Sequence, residues 1–178
     1  QNQLINKIDT QIFQILLQTP HIHRTSQLCI SLYFFGTYYL MNEAFITRSI
    51  KIFLKKENYY IIQCIPPGGQ GGIHFKVENK IMYPDIIAYR DNIMIIGESK
   101  PKYSESDNLK LNKLLLSEKL FEKAQYILNN YFMSKKMSIK KIHEIKMFLA
   151  FEKNNLIPNN KIDFFNVDAD GYVKVLKG

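Results

Sequence analysis

Two carboxylates and one ammonium group stand at the ends of two strongly apolar segments of this sequence. Asp85 precedes the segment IIAY, and Glu98 and Lys100 close the segment IMIIGESK. Apolar runs of this length, bounded by turn residues, are typical of neighbouring strands in a buried sheet. Asp91-Asn92 lies between the segments and favours a two-residue hairpin loop. We therefore expect an antiparallel strand pair with charged groups at one end.

The hairpin register decides whether these side chains meet. A two-residue loop pairs Arg90 with Ile93, and counting along both strands places Asp85 opposite Glu98. Side chains two residues apart on a strand share a face, so Lys100 joins the two carboxylates. Directly opposed side chains have Cβ atoms ~5 Å apart. The sequence therefore predicts that the three charged groups gather at one corner of the sheet.

Such a cluster suits a hard divalent cation. Two carboxylates this close repel each other by roughly 3 kcal/mol at an effective dielectric of about 20. Mg²⁺ on Asp85 and Glu98 would relieve the repulsion, because paired acidic oxygens with open water positions are the ligands it prefers. It could polarise a phosphate and stabilise a leaving oxygen, while Lys100 would hold or activate the attacking water. The alternative is a surface hairpin with an ordinary ion pair, since ExK and Pro-Asp are each common.

The composition indicates a globular protein with an anionic partner. The chain has 178 residues, 46% of them hydrophobic, and includes 11 tyrosines and 12 phenylalanines. These values fit one ordinary domain and exclude a disordered chain. The net charge of +8 favours an anionic partner, most simply a nucleic acid. Basicity alone is weak evidence, but together with a metal–carboxylate site it indicates phosphodiester substrates.

The cysteines and the hydropathy indicate a cytoplasmic protein without a membrane partner. Cys29 and Cys64 lie in apolar surroundings without CxxC spacing, which predicts buried, reduced thiols. No signal peptide is visible. The most hydrophobic stretch, residues 28–41, is shorter than the ~20 residues that a membrane span requires. It predicts a buried helix instead.

Hydrophobic periodicity and turn residues predict a helical part, a central sheet and a C-terminal hairpin within one domain of residues 1–178. The helical part covers 1–57, the part with the central sheet about 40–152 and the hairpin about 162–176. The predicted helices cover 4–18, a segment starting near 25–26, 43–57 and 108–132. The predicted strands cover 59–65, an extended stretch 73–89 with a possible interruption near 78–79, 93–100 and 144–151.

Several finer expectations follow from the same patterns. Asn42 is suited to cap the helix 43–57, and Ser106 or Asp107 to cap the next one. The core stripe of the helix 108–132 consists of Leu111, Leu114, Leu115, Phe121, Ala124, Leu128 and Tyr131. The loop PPGGQGG lacks the Gly-Lys-Ser/Thr of a nucleotide-binding loop and predicts a flexible turn near the active strand, with a close approach to the DNA backbone as an additional role.

The predicted order resembles the PD-(D/E)xK nuclease superfamily, whose fold is that of many type II restriction endonucleases. That family has a mixed β-sheet flanked by helices in the core order αβββαβ, and the resemblance covers about residues 40–152. It implies an α/β, restriction-endonuclease-like fold, here with N-terminal helices and a C-terminal β-hairpin. By this resemblance Asp85 matches the motif aspartate, Glu98 the second metal ligand and Lys100 the motif lysine.

The resemblance implies further site residues and a cofactor. Ser99 matches a residue whose backbone carbonyl often adds a metal contact, and Glu43 is the best placed candidate for a glutamate from the helix before the sheet. The implied cofactor is Mg²⁺, with Mn²⁺ as a substitute. The lysines expected to contact DNA are Lys102, Lys110 and Lys113. A basic run at residues 135–146 is typical of a solvated face and is an alternative phosphate-contacting patch.

Within that superfamily, the size of the chain suggests the small cleavage subunit of a heterodimeric type IIS restriction enzyme. In such systems a larger subunit reads the DNA sequence and each subunit cuts one strand. No helix-turn-helix, zinc-finger or RNP pattern is visible in this chain. Two alternatives stay open: a structure-specific repair or Holliday-junction nuclease with the same site, and a DNA-binding subunit that keeps the fold without turnover.

Overall fold

This computed structural model describes residues 42–65, 67–69, 71–77, 80–153 and 161–178. These residues contain three helices and eight strands. In chain order the elements are α1 (Glu43–Lys56), β1 (Tyr60–Cys64), β2 (Phe75–Val77), β3 (Lys80–Met82), β4 (Ile86–Arg90), β5 (Ile93–Ser99), α2 (Glu105–Leu115), α3 (Leu120–Ser134), β6 (Glu144–Glu152), β7 (Asp163–Val167) and β8 (Val173–Leu176).

The predictions for the first 41 residues concern a region outside the described part of the chain. They include the helix 4–18, the helix starting near 25–26, the buried stretch 28–41 and Cys29. The described residues belong to one compact unit, Met41–Gly178. The single domain spanning residues 1–178 therefore stays a prediction.

Six of the strands form one mixed sheet in the order β1-β4-β5-β6-β7-β8. The pairs β5–β6 and β6–β7 are parallel, and the other neighbours are antiparallel. The predicted C-terminal hairpin is confirmed as β7 and β8, and it also extends the main sheet. The α/β class with a mixed sheet flanked by helices is thereby confirmed.

Both faces of the sheet are covered, because strands β4 to β6 are apolar at nearly every position. One face forms a buried cluster with α1, which includes Ile46, Ile50, Leu54, Ile86, Ile95 and Phe148. The other forms a buried cluster with α2 and α3, which includes Ile87, Ile96, Leu111, Leu128, Phe132 and Leu149. The helices thus hold the central strands from both sides and leave the strand ends to form the site.

The predicted hairpin between β4 and β5 is confirmed in its register. Arg90 pairs with Ile93 and Ile86 pairs with Gly97. The loop residues Asp91 and Asn92 have φ values of 49° and 66°. Positive φ at both positions defines the type I′ turn, whose twist matches that of the flanking strands.

The predicted extended stretch 73–89 is wrong as a single strand of the main sheet. β2 and β3 pair only with each other, in a separate two-stranded sheet, and β4 alone joins the main sheet. Pro84 lies between β3 and β4. Because proline has no N–H to donate to a strand ladder, it favours a break at this point.

The predicted helix 108–132 is also wrong, because the structure has two helices separated by a turn at residues 116–119. Leu111 and Leu120 are both buried. In a continuous helix nine residues correspond to a rotation of about 900°, so these side chains would face opposite directions. The turn brings both into the core, and Phe121, expected in the core, is 45% exposed.

Among the described helices, none combines the length and apolarity needed to cross a membrane.

Gly97 is the point where the sheet tolerates no side chain. A methyl group at this position would lie 2.4 Å from ring atoms of Phe148, its partner in β6. Phe148 is itself held by stacking on Phe165, with ring centroids 4.5 Å apart. A glycine inside a strand commonly marks such a close approach. The residue next to Glu98 is therefore fixed by the packing of the core.

We expect Gly97→Ala to lower the free energy of unfolding by about 1–3 kcal/mol, because overpacking forces the Phe148 ring out of its position. Urea unfolding measures the change. Phe148→Leu should relieve the clash, so the double variant should lose less stability than the two single variants together. Strictly additive losses would contradict this account of Gly97.

Candidate functional site

Asp85 is held between the strands on either side of it. It lies in a bend immediately before β4, where its backbone carbonyl accepts a hydrogen bond from the N–H of Ile65 at 2.8 Å. Its carboxylate oxygen Oδ2 accepts a hydrogen bond from the backbone N–H of Ser99 at 2.7 Å. The side chain is thus fixed to the end of β5, as the predicted register requires.

Glu98 lies on β5 opposite Leu149 of β6, and only 7% of its surface is exposed. Its carboxyl group lies within hydrogen-bonding reach of the Asp85 carboxyl group. The structure therefore brings the two predicted carboxylates together. The register explains the contact, because continuing the β4–β5 ladder by one pair beyond Ile86 and Gly97 sets Asp85 opposite Glu98.

Lys100 and Glu43 complete the cluster from two different elements. The Lys100 backbone N–H donates to the carbonyl of Ala150 at 2.8 Å, which continues the parallel pairing beyond β5. Its Nζ lies 3.2 Å from Oε1 of Glu43 in the first turn of α1. Asn42 caps this helix as predicted, its side chain accepting a hydrogen bond from the N–H of Phe45. The four residues Glu43, Asp85, Glu98 and Lys100 are called the acidic cluster below.

Burial raises the pKa values of both central carboxyl groups. Burial and the neighbouring charge of Asp85 raise the pKa of Glu98 to about 9 from the ordinary value of 4.5. Burial also raises the pKa of Asp85, although the hydrogen bond from Ser99 works against it. Burial would lower the pKa of Lys100, but Glu43, Asp85 and Glu98 together outweigh it and the net shift is upward. Lys100 therefore stays an ammonium ion beside two carboxyl groups that resist ionising together.

The carboxylate oxygens of this cluster are donors of the kind that Mg²⁺ prefers. Among the described residues, no three His, Cys, Asp or Glu side chains converge as a ready-made ligand set. Mg²⁺ usually keeps several waters and is bound through one or two carboxylates together with substrate phosphates. Asp85 and Glu98 supply such a pair. Ser99 follows Glu98 at the end of β5, and its buried hydroxyl has no hydrogen-bond partner within the part of the chain that the structure describes.

Asp107 belongs to the electrostatic surroundings of the site, although the sequence suggested only a helix cap for it. It is 6% exposed, and its negative charge contributes to the raised pKa of Glu98. Burial would raise its own pKa, but bonds from Lys110 at 2.6 Å and Ser104 at 2.7 Å outweigh this and lower it. The actual cap is Ser104, not Ser106 or Asp107. The spacing S-x-x-D of a capping box was the available signal.

The lysines predicted to contact DNA lie on α2 and before it. Lys102 is exposed in the segment between β5 and α2, and Lys113 is exposed on α2. Lys110 is also exposed, but its Nζ is bound to Asp107. These positions leave the predicted DNA contacts untested.

A cleft of about 380 Å³ opens beside the acidic cluster. It is lined by Glu43, Asp85, Tyr83, Ile65 and the glycine loop residues Pro67, Gly68, Gly69 and Gly71. The predicted position of the glycine loop next to the active strand is thus supported. The cleft provides space for an extended ligand directly beside Asp85.

Gln63 connects Ile73, just after the glycine loop, to Pro84, just before Asp85, and it was not among the residues predicted from the sequence. Its side chain is 9% exposed, donates to the carbonyl of Pro84 and accepts from the N–H of Ile73, both at 2.6 Å. A bulge at Ile62 sets Gln63 opposite Ile87 of β4. A polar residue within an apolar strand was the only signal in the sequence, and the bulge could not be read from it.

Comparisons with protein-family models, with curated proteins and with solved structures give no match to this chain.

The raised pKa of Glu98 predicts that the metal-free protein loses stability at alkaline pH. A carboxyl group whose folded pKa exceeds its unfolded pKa stabilises the fold fully below the unfolded value, here 4.5, and loses this contribution as pH rises towards about 9. We expect a loss of about 2 kcal/mol or more between pH 5 and pH 9, since one pKa unit corresponds to about 1.4 kcal/mol. Urea unfolding in EDTA measures it.

Glu98→Gln should flatten this pH dependence, because the amide cannot ionise. Glu122→Gln, which removes an exposed carboxylate on α3, serves as the matched control and should follow the wild type. Equal pH dependence in Glu98→Gln and wild type would contradict the assignment of the buried proton to this pair.

Gln63→Leu should destabilise the protein by about 2–4 kcal/mol, because it leaves the Pro84 carbonyl and the Ile73 N–H without their partner. Hydrogen exchange of the Ile73 amide should become faster, because this N–H loses its hydrogen-bond acceptor. Urea unfolding and exchange measured by mass spectrometry check both effects. A variant within 0.5 kcal/mol of wild type, as is usual for surface positions, would show that Gln63 does not hold the loop.

Proposed function

We propose that this protein is a Mg²⁺-dependent DNA endonuclease of the PD-(D/E)xK type. The observation that carries the proposal is the contact between the carboxyl groups of Asp85 and Glu98, with Lys100 beside them. Strongly raised pKa values at buried carboxyl pairs are typical of functional sites. The cluster lies at the ends of adjacent strands and borders an open cleft, where a substrate can reach it.

The order of elements supports the same proposal. α1, β1, β4, β5, the helices α2 and α3, and β6 follow one another as helix, three strands, helical segment and strand. The hairpin of β2 and β3 is an insertion between the first two strands of the main sheet. This arrangement fits the αβββαβ core that the sequence resemblance implies.

In the proposed mechanism each residue of the acidic cluster has one task. Asp85 and Glu98 would hold the Mg²⁺ ion, for which Mn²⁺ would substitute, and Ser99 would contribute its backbone carbonyl. The ion supplies polarisation of the scissile phosphate and stabilisation of the leaving oxygen. Lys100 positions the attacking water and adds positive charge where negative charge develops. Glu43 orients Lys100 through their 3.2 Å ion pair.

The substrate class follows from charge and chemistry together. The net charge of +8 attracts polyanions, and a cation held by carboxylates acts on phosphodiesters. We infer that the substrate is double-stranded DNA and that the chain is the strand-cleaving subunit of a type II, IIS-like restriction enzyme. In this proposal a larger subunit reads the target sequence, and the pair acts in the cytoplasm within a restriction–modification system.

Cleavage of supercoiled plasmid DNA tests the proposal directly. With Mg²⁺ the protein, alone or with a sequence-reading subunit encoded beside it, should nick or linearise the plasmid, and EDTA should stop the reaction. Glu98→Gln should abolish cleavage, and Lys100→Ala should slow it by about 10²–10³, the usual loss on removing one transition-state contact. Glu122→Gln, the exposed carboxylate control, should cut like wild type.

The products distinguish the alternatives. Cuts at a fixed offset from one short sequence support the restriction enzyme, and preferential cutting of four-way junctions supports a structure-specific nuclease. Metal-independent DNA binding without cleavage, also in the presence of the partner, would support a non-catalytic subunit. If Glu98→Gln and Lys100→Ala cut as fast as wild type, the acidic cluster is not the active site.

A further inference from the structure

Helix α1 carries an unusual excess of positive charge. Its sequence EAFITRSIKIFLKK contains one acidic and four basic residues. The acidic residue, Glu43, is already bound to Lys100. Arg48, Lys51 and Lys55 follow at spacings of three and four residues, so they form one stripe along the helix. These three residues are called the basic stripe below.

Stabilisation of the helix macrodipole accounts for only one of these three charges. Lys55 lies in the last turn, where a cation stabilises the helix macrodipole. Arg48 and Lys51 lie in the middle of the helix and gain nothing from the dipole. Within the described residues none of the three forms an ion pair, whereas Arg90, Lys110 and Lys146 each pair with a carboxylate. Among the residues that the structure describes, no ion pair therefore compensates the positive charge of the basic stripe.

The stripe starts next to the acidic cluster and runs away from it. At about 1.5 Å per residue, Arg48 and Lys51 lie roughly 8 and 12 Å along the helix from Glu43. Lys51 and Asp85 both act electrostatically on the thiol of Cys64 in β1. Burial raises the pKa of Cys64, Lys51 opposes the rise and Asp85 adds to it. Cys64 pairs with Ile86, the residue after Asp85.

We propose that the basic stripe binds the phosphate backbone of double-stranded DNA next to the phosphate at the acidic cluster. The proposal rests on the proposed function for the identity of the ligand, and it adds the surface that holds the ligand. Phosphates of one strand follow each other every 3.4 Å along the duplex axis. A straight row of three cations over about 10 Å of helix matches a short stretch of such a strand.

Two other groups of lysines are also candidates for binding phosphates. Lys110 is occupied by Asp107, so it has less positive charge to offer a phosphate. The basic run at residues 135–146 follows the end of α3 and includes Lys135, Lys140 and Lys141, all exposed. That run provides a matched control with the same number of charges. It distinguishes a located binding surface from the effect of net charge.

The experiment measures binding of a 30-base-pair duplex by fluorescence anisotropy in EDTA, so that cleavage plays no part. The test variant carries Arg48→Gln, Lys51→Gln and Lys55→Gln, and the control carries Lys135→Gln, Lys140→Gln and Lys141→Gln. Glutamine is a good helix former, so α1 should be retained, which circular dichroism verifies. We expect binding by the test variant to weaken at least tenfold. The slope of log K against log salt should fall by about 2–3, since each phosphate contact contributes roughly 0.9.

The outcomes separate this proposal from the proposed function. The control should bind within about twofold of wild type. A loss in the control that equals or exceeds that of the test variant would overturn the located surface in favour of net charge or of the alternative patch at residues 135–146. Unchanged affinity and slope in the test variant, or no binding of duplex by the wild type at low salt, would also overturn it. If the stripe variant loses binding while Glu98→Gln still cuts, the surface stands and the acidic cluster fails as the active site.

Discussion

The contact between the carboxyl groups of Asp85 and Glu98 is the interaction on which the candidate site depends. It is produced far from the site, at the type I′ turn of Asp91 and Asn92, because the turn sets the register of β4 and β5. A slip by one residue would turn Glu98 to the opposite face of the sheet. The hydrogen bond from the Ser99 N–H to Asp85 then fixes the second carboxylate at the same corner.

This contact destabilises the fold unless something compensates the charge. Two buried acids side by side need a shared proton, an ammonium group or a cation. Lys100 compensates in part, but it also serves Glu43, and Asp107 adds a further negative charge to the surroundings of Glu98. Buried charge clusters are often less stable than well-packed apolar residues of the same volume. A ligand such as a hard cation therefore explains this arrangement more easily than a contribution to the stability of the fold does.

The sequence allowed the geometry of the candidate site to be predicted because its determinants are local. Two apolar strands and a two-residue loop were sufficient to predict the pairing of Arg90 with Ile93 and the approach of Asp85 to Glu98. Features that depend on tertiary packing were missed, including the bulge at Ile62 that positions Gln63 and the break that brings Leu120 into the core. The break could have been anticipated, because Leu111 and Leu120 are out of phase in one helix. The bulge could not, since nothing in the segment YIIQC distinguishes an extra residue from a regular strand.

Helix α1 connects the proposed catalytic and binding surfaces in a single rigid element. Its N-terminus carries Glu43 to Lys100, and its buried face of Ile46, Ile50 and Leu54 holds it against the sheet that carries Glu98. Because a packed helix keeps its residues at fixed separations, the basic stripe has a constant distance from the acidic cluster. Lysines on a flexible loop would bind phosphates without specifying which one reaches the carboxylates. A row of cations on a helix that begins at the site would set the position of the DNA strand along the cleft. Cutting at a defined phosphate requires such positioning.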